Sequence, residues 1–411
     1  VKPLSVAFLT QDFLGPQTFS INYYVAMVLH MLAEAAAPAR VVVYSHRGSE
    51  YSPRSPREVL SDYAVGPGLL EVEAFTRDAF RFSDASFLTE FDVVICTMYW
   101  WGDVLADLVS RRGRGAPRII YWLPSILMHE YVTNHHHAWP RMDLMFDLQK
   151  KCVQAADHVV FNSRADRERG YGYFGSTAHE KSSVTYPVSL PCTVATTQHH
   201  VGLRRRFGFA GRWEYRKGAH LLVEAFFRRY CRHRSDTLVL FSDLLDHDFD
   251  PAVALDASAA RKLEKLMAAG AVEMVRWRSS RNEYLQALAG CDVLAVPSLY
   301  DPFNMVAYDA IALGIPTVLS RFCGVEEIVA AAHPRVVKIN PWDLDEFDAA
   351  LEQMARAAAA ELRVPHAHDL ALDFTCDSEE MTSATLALLR GETPYRAREE
   401  GDDMSSTEVI Q

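Results

Sequence analysis

The sequence predicts an α/β protein with two parallel sheets in two domains, and three observations carry that reading. Its strand candidates are short and continuously apolar, as in Phe91-Asp92-Val93-Val94-Ile95-Cys96 and Arg118-Ile119-Ile120-Tyr121-Trp122. Such runs suit strands buried on both faces beneath covering helices. One pattern, an Asp followed by an apolar run and a closing Ser, appears in each half. It reads Asp157-His158-Val159-Val160-Phe161-Asn162-Ser163 and then Asp292-Val293-Leu294-Ala295-Val296-Pro297-Ser298. Finally, 411 residues are long for one core and suit two domains of ordinary size.

The elements follow in order. Leu4 to Thr10 reads as the first strand, and Gly15-Pro16 marks the loop after it. A helical stretch runs from about Ser20 to Ala36, and Arg40-Val41-Val42-Val43-Tyr44 is a second strand. Val159 to Ser163 closes the first half. Pro187 to Pro191, with proline at both ends, is the expected interdomain linker. Domain boundaries are therefore placed at residues 1–190 and 200–368, the second continuing strand–helix–strand from near Gly202. From Gly391 the chain is polar and acidic, so 391–411 is expected to be a disordered tail.

Composition narrows the function classes. Hydrophobic residues make up 49% and charged residues 23%, as in a soluble globular protein. A formal net charge of −11 argues against binding nucleic acid through bulk electrostatics. The basic runs Arg111-Arg112-Gly113-Arg114 and Arg204-Arg205-Arg206 read as solvated flanks. The 7 cysteines are scattered, odd in number and without a Cys-x-x-Cys pair, which fits buried thiols in a reducing compartment. No apolar run reaches spanning length and no signal-peptide pattern opens the chain. A cytoplasmic protein with little membrane contact is expected.

The most informative stretch is Ser298-Leu299-Tyr300-Asp301-Pro302-Phe303-Asn304-Met305-Val306-Ala307-Tyr308-Asp309, leading to Gly314-Ile315-Pro316. An acid ends a loop, a second acid follows eight positions on, and a helix begins between them. Pro302 fits a first turn, Ala307 to Leu313 favours helix, and Gly314-Ile315-Pro316 stops it. The free N–H groups of such a helix start suit a phosphate. Taken alone, the same residues also fit an Asp301 that caps the helix and an Asp309 on its solvated face.

Upstream stands Phe209-Ala210-Gly211-Arg212-Trp213-Glu214-Tyr215-Arg216-Lys217-Gly218. Together the two stretches resemble the donor-binding half of the retaining glycosyltransferases of family GT4. The likeness covers most of residues 200–330 and is weaker over 1–190. It implies a GT-B fold, with two Rossmann-like domains facing a central cleft and a C-terminal helix, at about 370–390, crossing back onto the first domain. Ser378 to Leu389 is the candidate for that helix. The implied activity is transfer of a sugar, with retained configuration, from a nucleoside diphosphate, UDP- or GDP-linked, to an acceptor hydroxyl. No cofactor and no metal are implied.

Residue by residue, Arg212 and Lys217, framed by Gly211 and Gly218, match the family's two phosphate-binding cations. Five residues apart across a turn, they are placed to converge on one phosphate, a planar fork beside a compact point charge. Asp301 matches the acid near the transferred sugar, and Asp309 the acid that holds the ribose hydroxyls. Phe303, Asn304, Met305 and Val306 would line the donor with backbone N–H groups. The base is expected near Arg276 and Trp277. The chain departs from the pattern where Asp replaces Glu at both acids and Asn304 replaces Gly. In the first loop only Gly15 remains to approach the donor. The family histidine after the strand ending at Trp122 is missing, and His129 is the nearest substitute. His135-His136-His137 reads as a polar loop, since successive residues point different ways.

The acceptor falls to the first domain, where Tyr99-Trp100-Trp101 and Ile126 to Tyr131 suggest a pocket with apolar walls. A small soluble acceptor, such as a sugar or aminocyclitol of secondary metabolism, is expected. Two rival readings remain open. One is a GT-B nucleotide-sugar epimerase or phosphorylase. The other is a catalytically weak relative acting as a binding or partner subunit, motivated by the shortened acids and the thinned glycine loop.

Overall fold

The computed structural model describes residues 3–11, 19–34, 39–46, 70–77, 84–134, 141–187, 204–241, 254–275, 281–361 and 378–392, with single positions at 55, 58 and 79. The linker beyond Pro187 and the tail from residue 393 lie outside the described residues.

Two sheets form, and every strand pairing in them is parallel. The first holds β1 (Leu4–Thr10), β2 (Ala39–Ser45), β3 (Leu70–Thr76), β4 (Val93–Cys96), β5 (Arg118–Trp122), β6 (His158–Phe161) and β7 (Ser182–Val184). Their spatial order is β3-β2-β1-β4-β5-β6-β7. The second holds β8 (Arg206–Ala210), β9 (Thr237–Phe241), β10 (Val272–Val275), β11 (Val293–Val296), β12 (Thr317–Ser320) and β13 (Val336–Ile339). Its order is β10-β9-β8-β11-β12-β13. Both orders reverse beside their first strand, between β1 and β4 and between β8 and β11.

The apolar runs work as their pattern requires. Along β1, Ala7 and Leu9 enter one core while Val6 and Phe8 enter the core on the opposite face. In the second sheet Val293 and Ala295 face one core, and Leu294 and Val296 the other. Helices cover both faces, so no strand interior has a polar side to show. Edge strand β3 departs from this most. Glu71, Glu73 and Phe75 are exposed, and its mixed pattern had no continuous apolar run to betray it.

The Asp that opens the recurring pattern has a structural task. Asp157 Oδ2 accepts from the Ile119 N–H at 2.8 Å, and Asp292 Oδ2 from the Arg206 N–H at 2.7 Å. Asp92 does the same for Ser5 at 2.9 Å. Each carboxylate satisfies a donor at the start of the neighbouring strand, which fixes where that strand begins.

The helix Ser378–Arg390 joins the two halves. Its Leu386, Leu388 and Leu389 are buried in a core of the first sheet, while Met381 packs against a core of the second. Arg118 Nη1 donates to the Leu388 carbonyl at 2.6 Å, tying the helix to β5.

Candidate functional site

In a parallel α/β sheet the crevice at the carboxyl ends of the strands, where the order reverses, is the natural ligand site. In the second sheet that crevice lies between β8 and β11. Strand β8 ends at Ala210, and Gly211-Arg212 leaves it. A short 3-10 turn, Tyr215–Lys217, then leads into the helix Ala219–Arg232. Gly218 makes this turn possible. Its φ is 73°, and a Cβ there would sit 2.1 Å from the Pro297 carbonyl oxygen. Only glycine permits that approach, and it brings Lys217 against the segment after β11.

Lys217 Nζ lies 2.5 Å from Asp301 Oδ2, with both side chains largely buried. Arg212 is more exposed, at 56%, and its Nη1 pairs with Glu214 Oε1 at 2.8 Å. Burial opposes the charge on Glu214, yet Arg212, Arg216 and Lys217 outweigh it and hold the carboxyl down to about 2. The two cations named from the sequence thus sit at one crevice, each with an acid as counter-ion.

The helix after Asp301 begins later than expected, at Met305, with Asn304 as its N-cap. Pro302 is therefore outside the helix, and Asp301 is not the cap. Asn304 adopts φ 78° and its side chain accepts from the Ala307 N–H at 2.9 Å. The left-handed conformation explains why Asn can stand where the family has Gly, since Asn tolerates that region best after glycine. Asn304 Nδ2 also donates to Asp301 Oδ2 at 2.9 Å, so Asn304 links the helix start to the Lys217 pair. Phe303 is buried against Tyr186 and Tyr308, while Met305 and Val306 are partly exposed.

Asp309 is not on a solvated face. It is buried, and Arg281 reaches both of its oxygens, at 2.5 and 3.2 Å. Burial pushes the Asp309 carboxyl up against the pull of that guanidinium. Arg281 also lies 5.1 Å above the ring of Tyr23, from the first domain. The sequence reading placed Asp309 against a ribose; the structure places it against Arg281.

The first domain meets this loop through its own side chains. His129, in the helix Leu127–Thr133, packs edge-on against Tyr300 at 4.4 Å and its Nδ1 lies 3.1 Å from the Tyr173 hydroxyl. Burial, with nearby Arg169, pushes His129 down to about 4, so it is neutral at pH 7. Tyr300 donates to Asp166 Oδ1 at 2.6 Å. Burial lifts that carboxyl to about 7, against the opposing pull of the Tyr300 hydrogen bond and of Arg169. At the first sheet's own crevice, Trp100 Nε1 donates to Gln11 Oε1 at 3.4 Å, and the Trp100 ring stacks on His46 at 5.4 Å. Gly15, Arg276, Trp277 and His135 to His137 lie outside the described residues.

Glu130, Asp166, Glu214, Arg216 and Arg281 were missed from the sequence. Glu214 and Arg216 stood inside the quoted motif and only needed a partner. Asp166 follows Ser163 as a helix-start pair and hid behind that local role. Among the described residues no group of three or more His, Cys, Asp or Glu is placed to hold a metal, and no helix is long and apolar enough to cross a membrane.

Residues 204–357 match the family described as Glycosyl transferases group 1. The glycogen synthase of Mycobacterium tuberculosis is 31% identical over 194 residues, covering 46% of this chain and 44% of that protein. The chain thus spans less than half the length of that relative. The D-inositol 3-phosphate glycosyltransferase of Stackebrandtia nassauensis is 26% identical over 371 residues, 84% of this chain and 80% of that protein. Among solved structures, Anabaena HepE, in complex with UDP and glucose, superposes with a TM-score of 0.63. It is 16% identical and covers 94% of this chain and 99% of its own. That likeness establishes the GT-B fold, two Rossmann-like domains.

Proposed function

We propose that this chain, whose residues 204–357 match the group 1 glycosyltransferases, transfers a sugar from a nucleoside diphosphate to an acceptor hydroxyl with retention of configuration. The observation that carries the proposal is the Lys217–Asp301 pair at 2.5 Å, with Arg212 beside it, at the crevice of the second sheet. A diphosphate entering there offers both cations a stronger counter-ion than a single carboxylate. Lys217 and Arg212 then stabilise the charge that grows on the leaving oxygen, so no metal is needed for that task. Asp301, released from Lys217, is left beside the sugar. The relatives support a sugar donor of this kind: HepE was solved with UDP and glucose.

The acceptor belongs at the first sheet's crevice, where Trp100 and Gln11 offer an apolar wall and an amide. A small soluble polyol fits that pairing, since a ring stacks on its C–H face and the amide takes a hydroxyl. The buried free thiols Cys96, Cys152, Cys291 and Cys323 fit a reducing cytoplasm.

One observation favours the rival of a weak relative used as a binding subunit. Lys217, Arg212 and Asp309 are each already paired with another residue of the chain. A thermal-shift panel of UDP-, GDP- and ADP-sugars, run in EDTA and followed by nucleotide-release assays, separates the two. A donor raises the melting point by mass action and is then turned over if the chain is an enzyme. Binding without turnover in the presence of every acceptor tested would favour a binding subunit, and no binding would sink the enzyme reading and leave the partner subunit.

A further inference from the structure

Arg216 adjoins Lys217 in the chain yet is shut away from solvent, with a side chain 2% exposed. Its guanidinium is divided between carboxylates of the two domains. Nη2 lies 3.0 Å from Glu130 Oε1, on the helix Leu127–Thr133 of the first domain, and Nε lies 2.7 Å from Glu214 Oε2. Nη1 donates to the Tyr300 carbonyl at 3.4 Å, one residue before Asp301. The main chain is held from both sides as well. The Arg216 N–H donates to first-domain Asn134 Oδ1 at 2.8 Å, and its carbonyl accepts from the Leu299 N–H at 2.6 Å.

Glu214 carries the chain of contacts onward, because its other oxygen pairs with Arg212. A first-domain carboxylate is therefore linked to Arg212 through Arg216 and Glu214, and to Lys217 through the backbone of the same turn. Burial makes this linkage strong, since a guanidinium out of water tolerates no lost partner cheaply. With Glu130 withdrawn, Arg216 retains a single carboxylate, and Glu214 must serve it at the expense of Arg212.

We propose that Arg216 is a positioning residue that senses the seating of the first domain through Glu130 and Asn134. It transmits that seating to Arg212 and Lys217, so both cations are correctly aimed only when the domains are closed. The proposal rests on the donor-site reading above. It gives the enzyme a reason to hold back hydrolysis, because the leaving group is fully stabilised only in a closed cleft.

Other contacts hold the seam, so Glu130 can be altered without parting the domains. Glu327 of the second domain caps the helix Arg164–Phe174 of the first, accepting from the Arg164 and Ala165 N–H groups at 2.8 Å each. Tyr300 reaches Asp166 in the same helix.

The test uses the full chain and two readouts: binding of UDP, GDP and ADP by calorimetry, and turnover of the nucleoside diphosphate sugar that the unaltered protein accepts. Glu130→Gln should lower kcat by about tenfold or more while nucleoside diphosphate Kd stays within about threefold, because the cations remain but their aim is lost. Arg216→Met should do at least as much, and the double variant no more than Arg216→Met alone, since both act through one contact. A Glu130→Gln protein with unchanged kcat overturns the proposal. So does a parallel fall of kcat, binding and melting temperature, which marks a merely structural role. An unaltered protein that binds none of the three nucleotides sinks the donor-site reading, and this inference with it.

Discussion

Where the first sheet reverses, the side chains that meet are Thr10, Gln11, Thr97 and Trp100; where the second reverses, they are Arg212, Glu214, Arg216, Lys217 and Asp301. The first group is joined by neutral hydrogen bonds, Thr97 to Thr10 at 3.1 Å and Trp100 to Gln11 at 3.4 Å. The second is joined by ion pairs, with Glu214 held well inside its charged range. Two first-domain groups that touch the charged loop tend to neutrality, His129 at about 4 and Asp166 at about 7, while Glu130 reaches across to pair with Arg216. Two crevices of one topology thus carry opposite chemistry. The strand order fixes where a ligand sits, and the loop side chains decide what it is. Charge gathered on one side of a cleft suits a diphosphate, and a neutral aromatic side suits an uncharged acceptor.

The contrast is tested first at Asp309, whose carboxylate is paired with buried Arg281 inside the second domain. Asp309→Asn leaves Arg281 buried with a neutral partner and should cost about 3 kcal/mol or more of stability, read by chemical denaturation. Adding Arg281→Met should return much of that loss. Unchanged stability with weakened UDP or GDP binding would instead place Asp309 on the donor ribose. Next in size, Lys217→Ala and Arg212→Ala should each cut turnover on the order of a hundredfold, the loss typical of one electrostatic stabiliser. Full activity in both folded variants would remove the phosphate site from this crevice.

Trp100→Ala tests the neutral side. It should lower transfer by about tenfold through acceptor KM, because stacking area is lost while the contacts of Arg212 and Lys217 are untouched. Nucleoside diphosphate binding should not change. A variant that loses nucleotide affinity instead would show that the two crevices do not divide the substrates as argued.

These differences also explain what could be read in the sequence. The parallel strands were legible because burial on both faces demands a continuous apolar run, and β3 was not, because an exposed edge makes no such demand. Arg212, Lys217 and Asp301 stood out because each lies in a short stretch that resembles a family motif, whereas the Asn304 cap that joins Asp301 to the helix start was not read. Asn304 itself was read as a departure, and its φ of 78° shows why the substitution is tolerated. The cross-domain partners left no trace. Glu327 caps a helix 163 positions away, and Tyr300 meets Asp166 across 134. No period or spacing encodes such pairs, which arise only when two finished domains meet. Arg281 hid for a related reason: its partner Asp309 carried a more conspicuous functional reading.

The smallest expected effect is a pH signature at the neutral face, carried by His129. Its folded value of about 4 lies below the ordinary 6.5, pushed down first by burial and then by Arg169. The unfolded chain therefore takes up this proton first as pH falls, and His129 withdraws stability between about 6.5 and 4. Asp166 acts with the opposite sign. Its folded value of about 7 lies above the ordinary 3.8, so its contribution shrinks as pH rises from about 4 to 7. The two slopes overlap in the unaltered protein, and only differences from it are diagnostic. His129→Gln should gain on the unaltered protein as pH drops through that window, by roughly 1 kcal/mol once partial exposure is allowed for. Asp166→Asn should gain as pH rises through it, keeping its oxygen for the Tyr300 hydroxyl. Denaturation midpoints at pH 4, 5.5 and 7.5 read both. Differences that do not move with pH would mean that His129 and Asp166 titrate normally, and the face opposite the charged loop would then not be neutral.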